Sequence, residues 1–257
     1  SGPLPVHMLG NMWGQSWSNI YDLVYTEESN SNSINVTKII EDKEIDEIEM
    51  VRYAEDFFIS IGFDSLPDTF WERSLFVKPR DRSVVCHASA WNLDPANNDL
   101  RIKMCIQKNE EDFITIHHEL GHIFYYQAYN HLPTLFQGGA NDGFHEAFGD
   151  LLTLSITPDY LQKIDFVSEE EANLAKQDPI GLLMKQALEG VVVVPWALML
   201  DKWRTGVFNG DIKEDELNSS WWELRKEYQG ITTSEERSEE YFDPGAKYHI
   251  PGNTPYT

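Results

Sequence analysis

Glu110-Glu111-Asp112-Phe113-Ile114-Thr115-Ile116-His117-His118-Glu119-Leu120-Gly121-His122-Ile123-Phe124, running on to Asn130, decides how this chain is read. Apolar residues recur at helical spacing through it, so it predicts a buried helix over 110–130. His118 and His122 are four residues apart, one turn on, and leave the same face. Two imidazoles so placed can meet one divalent ion, with Glu119 beside them to take a proton from water. The segment is apolar enough that His118, Glu119 and His122 need a partner to be buried cheaply. Gly121 would let a neighbouring element approach closely.

A second segment, Asp142 to Ser155, reads as a helix and supplies Glu146 as a third ligand, with 23 residues between it and His122. Zinc accepts two imidazoles and a carboxylate and keeps a fourth position for water. Asp150, one turn beyond Glu146, is placed to orient a ligating imidazole. His117 and His145 adjoin the ligands and read as surface or packing histidines pointing elsewhere.

The rest of the chain is mostly helical in pattern. Helices are predicted over 7–24, 44–61, 68–72, 169–189 (broken at Asp178-Pro179), 194–208 and 214–228. Short β-like runs around Cys86 and Cys105 flank a turn-rich stretch and predict a hairpin over about 82–106. Ser29 to Ser33 and Thr232 to Glu236 read as polar loops. The class is mainly α with a small β element, with no repeat and no linker dividing 1–257.

The net charge of −23 argues against nucleic acid and anionic membrane surfaces as partners. No apolar run reaches the roughly 20 residues of a membrane helix: the longest, around Val191 to Val194, is cut by Pro195 and soon meets Asp201, Lys202 and Arg204. Ser1-Gly2-Pro3-Leu4 has neither the basic start nor the apolar stretch of a secretion signal, and the absence of Met there reads as a cut edge. The two cysteines are either free buried thiols or a disulfide across the hairpin. Sequons at Asn35 and Asn218 favour an exported, disulfide-bonded protein.

Five blocks carry a resemblance: Leu9-Gly10-Asn11-Met12-Trp13-Gly14-Gln15-Ser16-Trp17-Ser18-Asn19-Ile20-Tyr21, Val85-Cys86-His87-Ala88-Ser89-Ala90-Trp91, Gly139-Ala140-Asn141-Asp142-Gly143-Phe144-His145-Glu146-Ala147, Trp221-Trp222-Glu223-Leu224-Arg225, and Phe242-Asp243-Pro244-Gly245-Ala246-Lys247-Tyr248-His249-Ile250-Pro251. With the histidine motif between them, in this order, they resemble the angiotensin-converting enzyme family of zinc dipeptidyl carboxypeptidases. The resemblance implies a zincin-type, two-lobed helical peptidase domain around a deep channel. It implies release of a C-terminal dipeptide from a peptide with a free carboxylate, in an extracellular setting, secreted or as the ectodomain of an anchored protein.

Residue by residue, the resemblance assigns His118, His122 and Glu146 as zinc ligands and Glu119 as general base. His87 and His249 match residues that bond the substrate backbone near the scissile bond, and Ala88 and Ala90 lie along the strand that substrate would follow. Gln15, Lys247 and Tyr256 match the trio gripping the terminal carboxylate. Gln15, where the monocarboxypeptidase branch has arginine, and Ala88, where it has proline, point to the dipeptidase-type branch. Trp221 and Arg225 match part of a chloride site, and Cys86 and Cys105 a family disulfide.

The same comparison leads one to expect a fragment, with lid helices missing before residue 1 and a segment carrying an arginine and an oxyanion-stabilising tyrosine missing after Thr257. Loss of one oxyanion donor costs on the order of 10²–10³ in rate. The alternatives to a dipeptidyl carboxypeptidase are therefore an impaired or inactive homologue serving as a binding or structural module, and an endopeptidase, which would not need the carboxylate trio.

Overall fold

A computed structural model describes residues 2–25, 34–141 and 143–253. Its helices are α1 (Tyr21–Val24), α2 (Val36–Asp42), α3 (Glu47–Ser60), α4 (Asp68–Arg73), α5 (Glu110–Tyr129), α6 (Phe144–Thr153), α7 (Pro158–Lys163), α8 (Glu169–Ala175), α9 (Pro179–Gln186), α10 (Val193–Asn209) and α11 (Leu217–Gln229). The strands are β1 (Leu4–Pro5), β2 (Ser89–Asp94), β3 (Asp99–Lys103) and β4 (Ile231–Thr232). The fold is mainly α, as the periodicity predicts. Although no linker is visible in the sequence, the chain forms two compact units: one comprises 34–175, the other is assembled from 1–33 and 176–257.

The unit of 34–175 is organised by α3 and α5. Asp46 and Glu49 form a reciprocal capping box that starts α3, satisfying two backbone donors at once. Asn109 caps α5, and Glu110, Glu111 and Asp112 in its first turn suit the positive end of the helix dipole. Met50, Val51, Ala54 and Phe58 of α3 and Phe113, Ile116, Leu120, Ile123 and Phe124 of α5 are buried in one core. Phe58 and Phe124 stack with centroids 4.3 Å apart. β2 and β3 pair antiparallel, Ala90 opposite Ile102, and the alternate residues Leu100 and Ile102 turn into the same core. Cys86 and Cys105 are joined by a disulfide just outside the strands, with Cα atoms 5.1 Å apart.

His117 belongs to this core. It is fully buried and ringed by Phe57, Phe113 and Tyr160. Its Nδ1 donates to the Phe113 carbonyl at 2.8 Å, so Nε2 accepts the Tyr160 hydroxyl at 2.9 Å. Burial pushes its pKa from 6.5 down to about 4, so the folded state holds it neutral. The stability this contributes is full above pH 6.5 and is lost as the pH falls through about 4, an amount on the order of 3 kcal/mol. Urea unfolding at a series of pH values should show that acid limb, flattened in His117→Gln. An equally steep limb in the variant would assign the loss to other groups.

In the other unit, Trp196, Met199, Leu200 and Trp203 form one buried stripe of α10 against Trp221 of α11. Trp196 and Trp203 both meet Trp221 edge to face, at 5.7 and 5.5 Å. β1 lies parallel to β4. The helix expected over 7–24 does not form. The segment is two short 3₁₀ turns, Val6–Leu9 and Ser18–Ile20, leading into α1. Gly10 and Gly14 lie between them at φ 71° and 60°, a left-handed conformation that no right-handed helix can contain.

Pro195 also acts differently from expectation. It follows a π-turn at Ala187–Val191, where the α-helical hydrogen-bond ladder is already interrupted, and helix runs almost unbroken over Pro179–Asn209. With a mean hydropathy of 1.4 in its most apolar window, this helix is long and apolar enough to cross a membrane, contrary to the expectation that no such run exists. Mostly buried core helices satisfy the same measure; here 22% of the window is buried, and the tryptophan stripe is packed against α11.

Candidate metal centre

The metal-ligating residues predicted from sequence come together on α5 and α6. His118, His122 and Glu146 each present a ligand atom, all within 4.8 Å of one another. The two Nε2 atoms are 3.1 Å apart. Glu146 lies 3.3 Å from His118 Nε2 through Oε2 and 3.7 Å from His122 Nε2 through Oε1. Two nitrogens on a tetrahedral zinc stand roughly 3.3–3.4 Å apart, so the donor set fits that ion. The histidine side chains are 19% and 11% exposed and that of Glu146 is 57% exposed; one side of the group thus faces solvent, where a water or substrate atom can enter. Asp150 Oδ1 accepts from His118 Nδ1 at 2.9 Å, which turns the other nitrogen of that ring toward the site.

Two glycines make the convergence possible. A Cβ on Gly121 would stand 2.9 Å from the Gly149 Cα, and one on Gly149 would stand 2.8 Å from His118 Nδ1. The backbones of α5 and α6 touch there because neither residue has a side chain.

The electrostatics match a site built for a cation. Burial pulls the His118 imidazole down, but its hydrogen bonds to Asp150 and Glu146 and the charges of Glu119 and Glu146 outweigh this and hold its pKa at about 10. Burial, and then the charge on His118, push His122 down to about 4. One proton thus sits among the carboxylates where a dication would sit, and a metal must displace it. Glu119 is buried, and burial pushes its carboxyl up to about 7.

Sequence reasoning missed one neighbour. His145, read as a packing residue pointing elsewhere, has Nδ1 3.2 Å from His122 Nδ1. Burial pushes its pKa down. Only its position beside Glu146 could have flagged it.

Comparison with known proteins identifies the family. The family model described as angiotensin-converting enzyme matches residues 1–257. The chain belongs to the angiotensin-converting enzyme family. The angiotensin-converting enzyme of Bos taurus is 45% identical over 257 residues, 99% of this chain and 19% of that protein. Those of Theromyzon tessulatum and Haematobia irritans exigua are 41% and 40% identical, over 99% and 100% of this chain and 41% and 42% of theirs. The chain therefore spans about a fifth of the length of the mammalian relative and about two fifths of the two invertebrate ones.

The other residues singled out by the likeness to angiotensin-converting enzymes fall in both units. In the unit of 34–175, the exposed His87 has Nδ1 2.7 Å from the Ala88 carbonyl, and Ala88 and Ala90 pack on the core. In the other unit, the buried Lys247 donates to Gln15 Oε1 at 2.9 Å and lies over Trp13; burial pushes its pKa down to about 8. His249 packs edge-on against Tyr248. Tyr256 lies outside the described residues. Arg225 is buried, lies over Trp222 and Trp196, and donates to the neutral oxygens of Gln229 and Met12. Burial pushes its pKa down to about 10.

One reading is corrected. Asn218 is fully buried, and the amide nitrogen that would carry a glycan donates to Ser238 and Asp243; a sugar has no room there. Asn35 is exposed and caps α2 through its oxygen, leaving its amide nitrogen pointed away from that bond.

Proposed function

We propose that this chain carries the centre of a zinc peptidase that releases dipeptides from the C-terminal end of peptides. The observation that carries the reading is the convergence of His118, His122 and Glu146, with Glu119 next on the same helix and Asp150 behind His118. A bound zinc ion would supply a Lewis acid that polarises the scissile carbonyl and acidifies a water. Glu119, with a pKa near neutrality, takes the proton of the attacking water and returns it to the leaving amine. Asp150 holds the His118 ring in its ligating tautomer. His87 and His249 bond the substrate backbone, as the family likeness implies.

Among the described residues β2 pairs with β3 alone. Its other edge suits an extended peptide added alongside Ala88 and Ala90. Lys247 and Gln15 form a cation–amide pair fit for a terminal carboxylate, and an arriving carboxylate would restore the charge that burial disfavours on Lys247. Tyr256 is assigned to the same grip on resemblance alone. The buried Arg225 guanidinium, with Trp221 beside it in a cavity of about 450 Å³, suits a chloride ion. The disulfide and the exposed Asn35 sequon support an extracellular setting.

The test uses the chain stripped by chelator, reloaded with zinc and offered one quenched peptide with either a free or an amidated C-terminus. One zinc per chain and release of a dipeptide from the free acid are expected, with the amide cleaved roughly 30-fold more slowly, the equivalent of about 2 kcal/mol. Equal cleavage of the two peptides would sink the dipeptidyl reading; absence of stoichiometric zinc would sink the metal reading.

A further inference from the structure

Each ligating imidazole can lend its Nε2 lone pair to a metal only if its proton sits on Nδ1. For His118 the choice is forced: Asp150 Oδ1, 2.9 Å from Nδ1, is a carboxylate oxygen and can only accept. Among the described residues, no carboxylate stands behind His122. Its Nδ1 faces another imidazole nitrogen, His145 Nδ1, at 3.2 Å, and one of the two must carry the proton between them.

We infer that His145 is a positioning residue: its ring, anchored by Tyr129, accepts the Nδ1 proton of His122 and so fixes the tautomer that leaves His122 Nε2 bare toward the metal. The inference rests on the metal reading above.

The geometry limits the chain of bonds to two directions. The far nitrogen of His145, Nε2, is 2.9 Å from the Tyr129 hydroxyl. In one direction Tyr129 donates to His145 Nε2 and His145 Nδ1 donates to His122. The His122 proton then sits on Nε2, among the other ligand atoms, and blocks a metal. In the other direction His122 Nδ1 donates to His145 Nδ1, and His145 Nε2 donates to the Tyr129 oxygen. Only this second direction leaves both Nε2 lone pairs facing each other and Glu146. The neutral tyrosine oxygen can serve as donor or acceptor, so the relay can take either direction, and a metal selects the second.

The His145 ring is held for this task. His122, Tyr125, Tyr126 and Tyr129 fall on one face of α5, and all four rings touch His145, with centroids 5.4, 4.5, 4.8 and 5.8 Å from it. The ring cannot swing from His122 without parting from three tyrosines. Each ligating histidine thus has its own backing group: a carboxylate for His118, a tyrosine-anchored imidazole for His122.

Zinc affinity of the full chain, measured by chelator competition, tests the assignment. His145→Phe keeps a ring among the tyrosines but removes the acceptor, and should weaken zinc about 10- to 100-fold, with the thermal unfolding of the metal-free protein unchanged. His145→Asn, whose Oδ1 stands where Nδ1 stood, should restore affinity to within about threefold of the unaltered chain. Ring nitrogen-15 shifts of the zinc-loaded, unaltered protein should place protons on His122 Nδ1 and His145 Nε2, a readout that mere packing would not set. Zinc held by His145→Phe as tightly as by the parent overturns the inference, as does Asn no better than Phe, or a proton found on His145 Nδ1. Failure of the unaltered chain to take zinc is a separate result and overturns the metal reading together with this one.

Discussion

Replacing Glu119 with glutamine should lower turnover of the zinc-loaded protein by about 10²–10⁴-fold and leave one zinc per chain in place. Glutamine has the shape of the carboxylate but cannot accept a proton at neutral pH. Glu119 is not among the three converging ligands, so its change leaves the donor set intact. Burial already holds its carboxyl up at about 7; a neutral amide removes that penalty, so the metal-free variant should unfold no more easily than the parent. A bound dication would draw the carboxyl pKa below 7, and the acid limb of kcat/KM should lie there in the parent and vanish in the residual rate of the variant. Elemental analysis and single-turnover hydrolysis check both halves. A variant hydrolysing peptide at the parental rate would remove Glu119 from the proton transfer.

Adding one methyl group at Gly149 should cost nearly as much as losing a ligand's support. The Cβ of Gly149→Ala would lie 2.8 Å from His118 Nδ1, 2.9 Å from Cε1 and 3.1 Å from Cγ. No flexible side-chain end is available to yield; either the His118 ring leaves Asp150 or α6 backs away from α5, carrying Glu146 with it. Zinc should bind about 100-fold more weakly. Alanine is also a better helix former than glycine by about 1 kcal/mol, so α6 itself is not weakened. Loss of metal without loss of helical circular dichroism is therefore the expected signature. Parental zinc affinity in Gly149→Ala would mean that the two helices are not spaced by this contact.

Much of the chain was legible in advance because its cues are local. The cap at Asn109, the acidic first turn and the apolar spacing of Phe113, Ile116 and Leu120 define α5 within a residue of the expected bounds. Asp178-Pro179 breaks the helical run where expected, separating α8 from α9. The segment 7–24 deceived because apolar spacing is blind to the sign of φ at Gly10 and Gly14. Pro195 deceived in the opposite sense, since a π-turn ahead of it is invisible in hydropathy. Asn218 satisfies a sequon by composition, and only packing reveals that its amide is enclosed.

Residue spacing along one helix is a covalent matter, so the sequence by itself determined that His118 and His122 share a face, that Glu119 accompanies them, and that a carboxylate follows on another helix. Which nitrogen of each ring points at which partner is not local. It depends on two helices meeting backbone to backbone at Gly121 and Gly149, and on three tyrosines of the His122 face of α5 closing around His145. Only the tertiary structure decided these, because hydrogen-bond direction changes over tenths of an ångström, a distance that packing sets and residue order does not record.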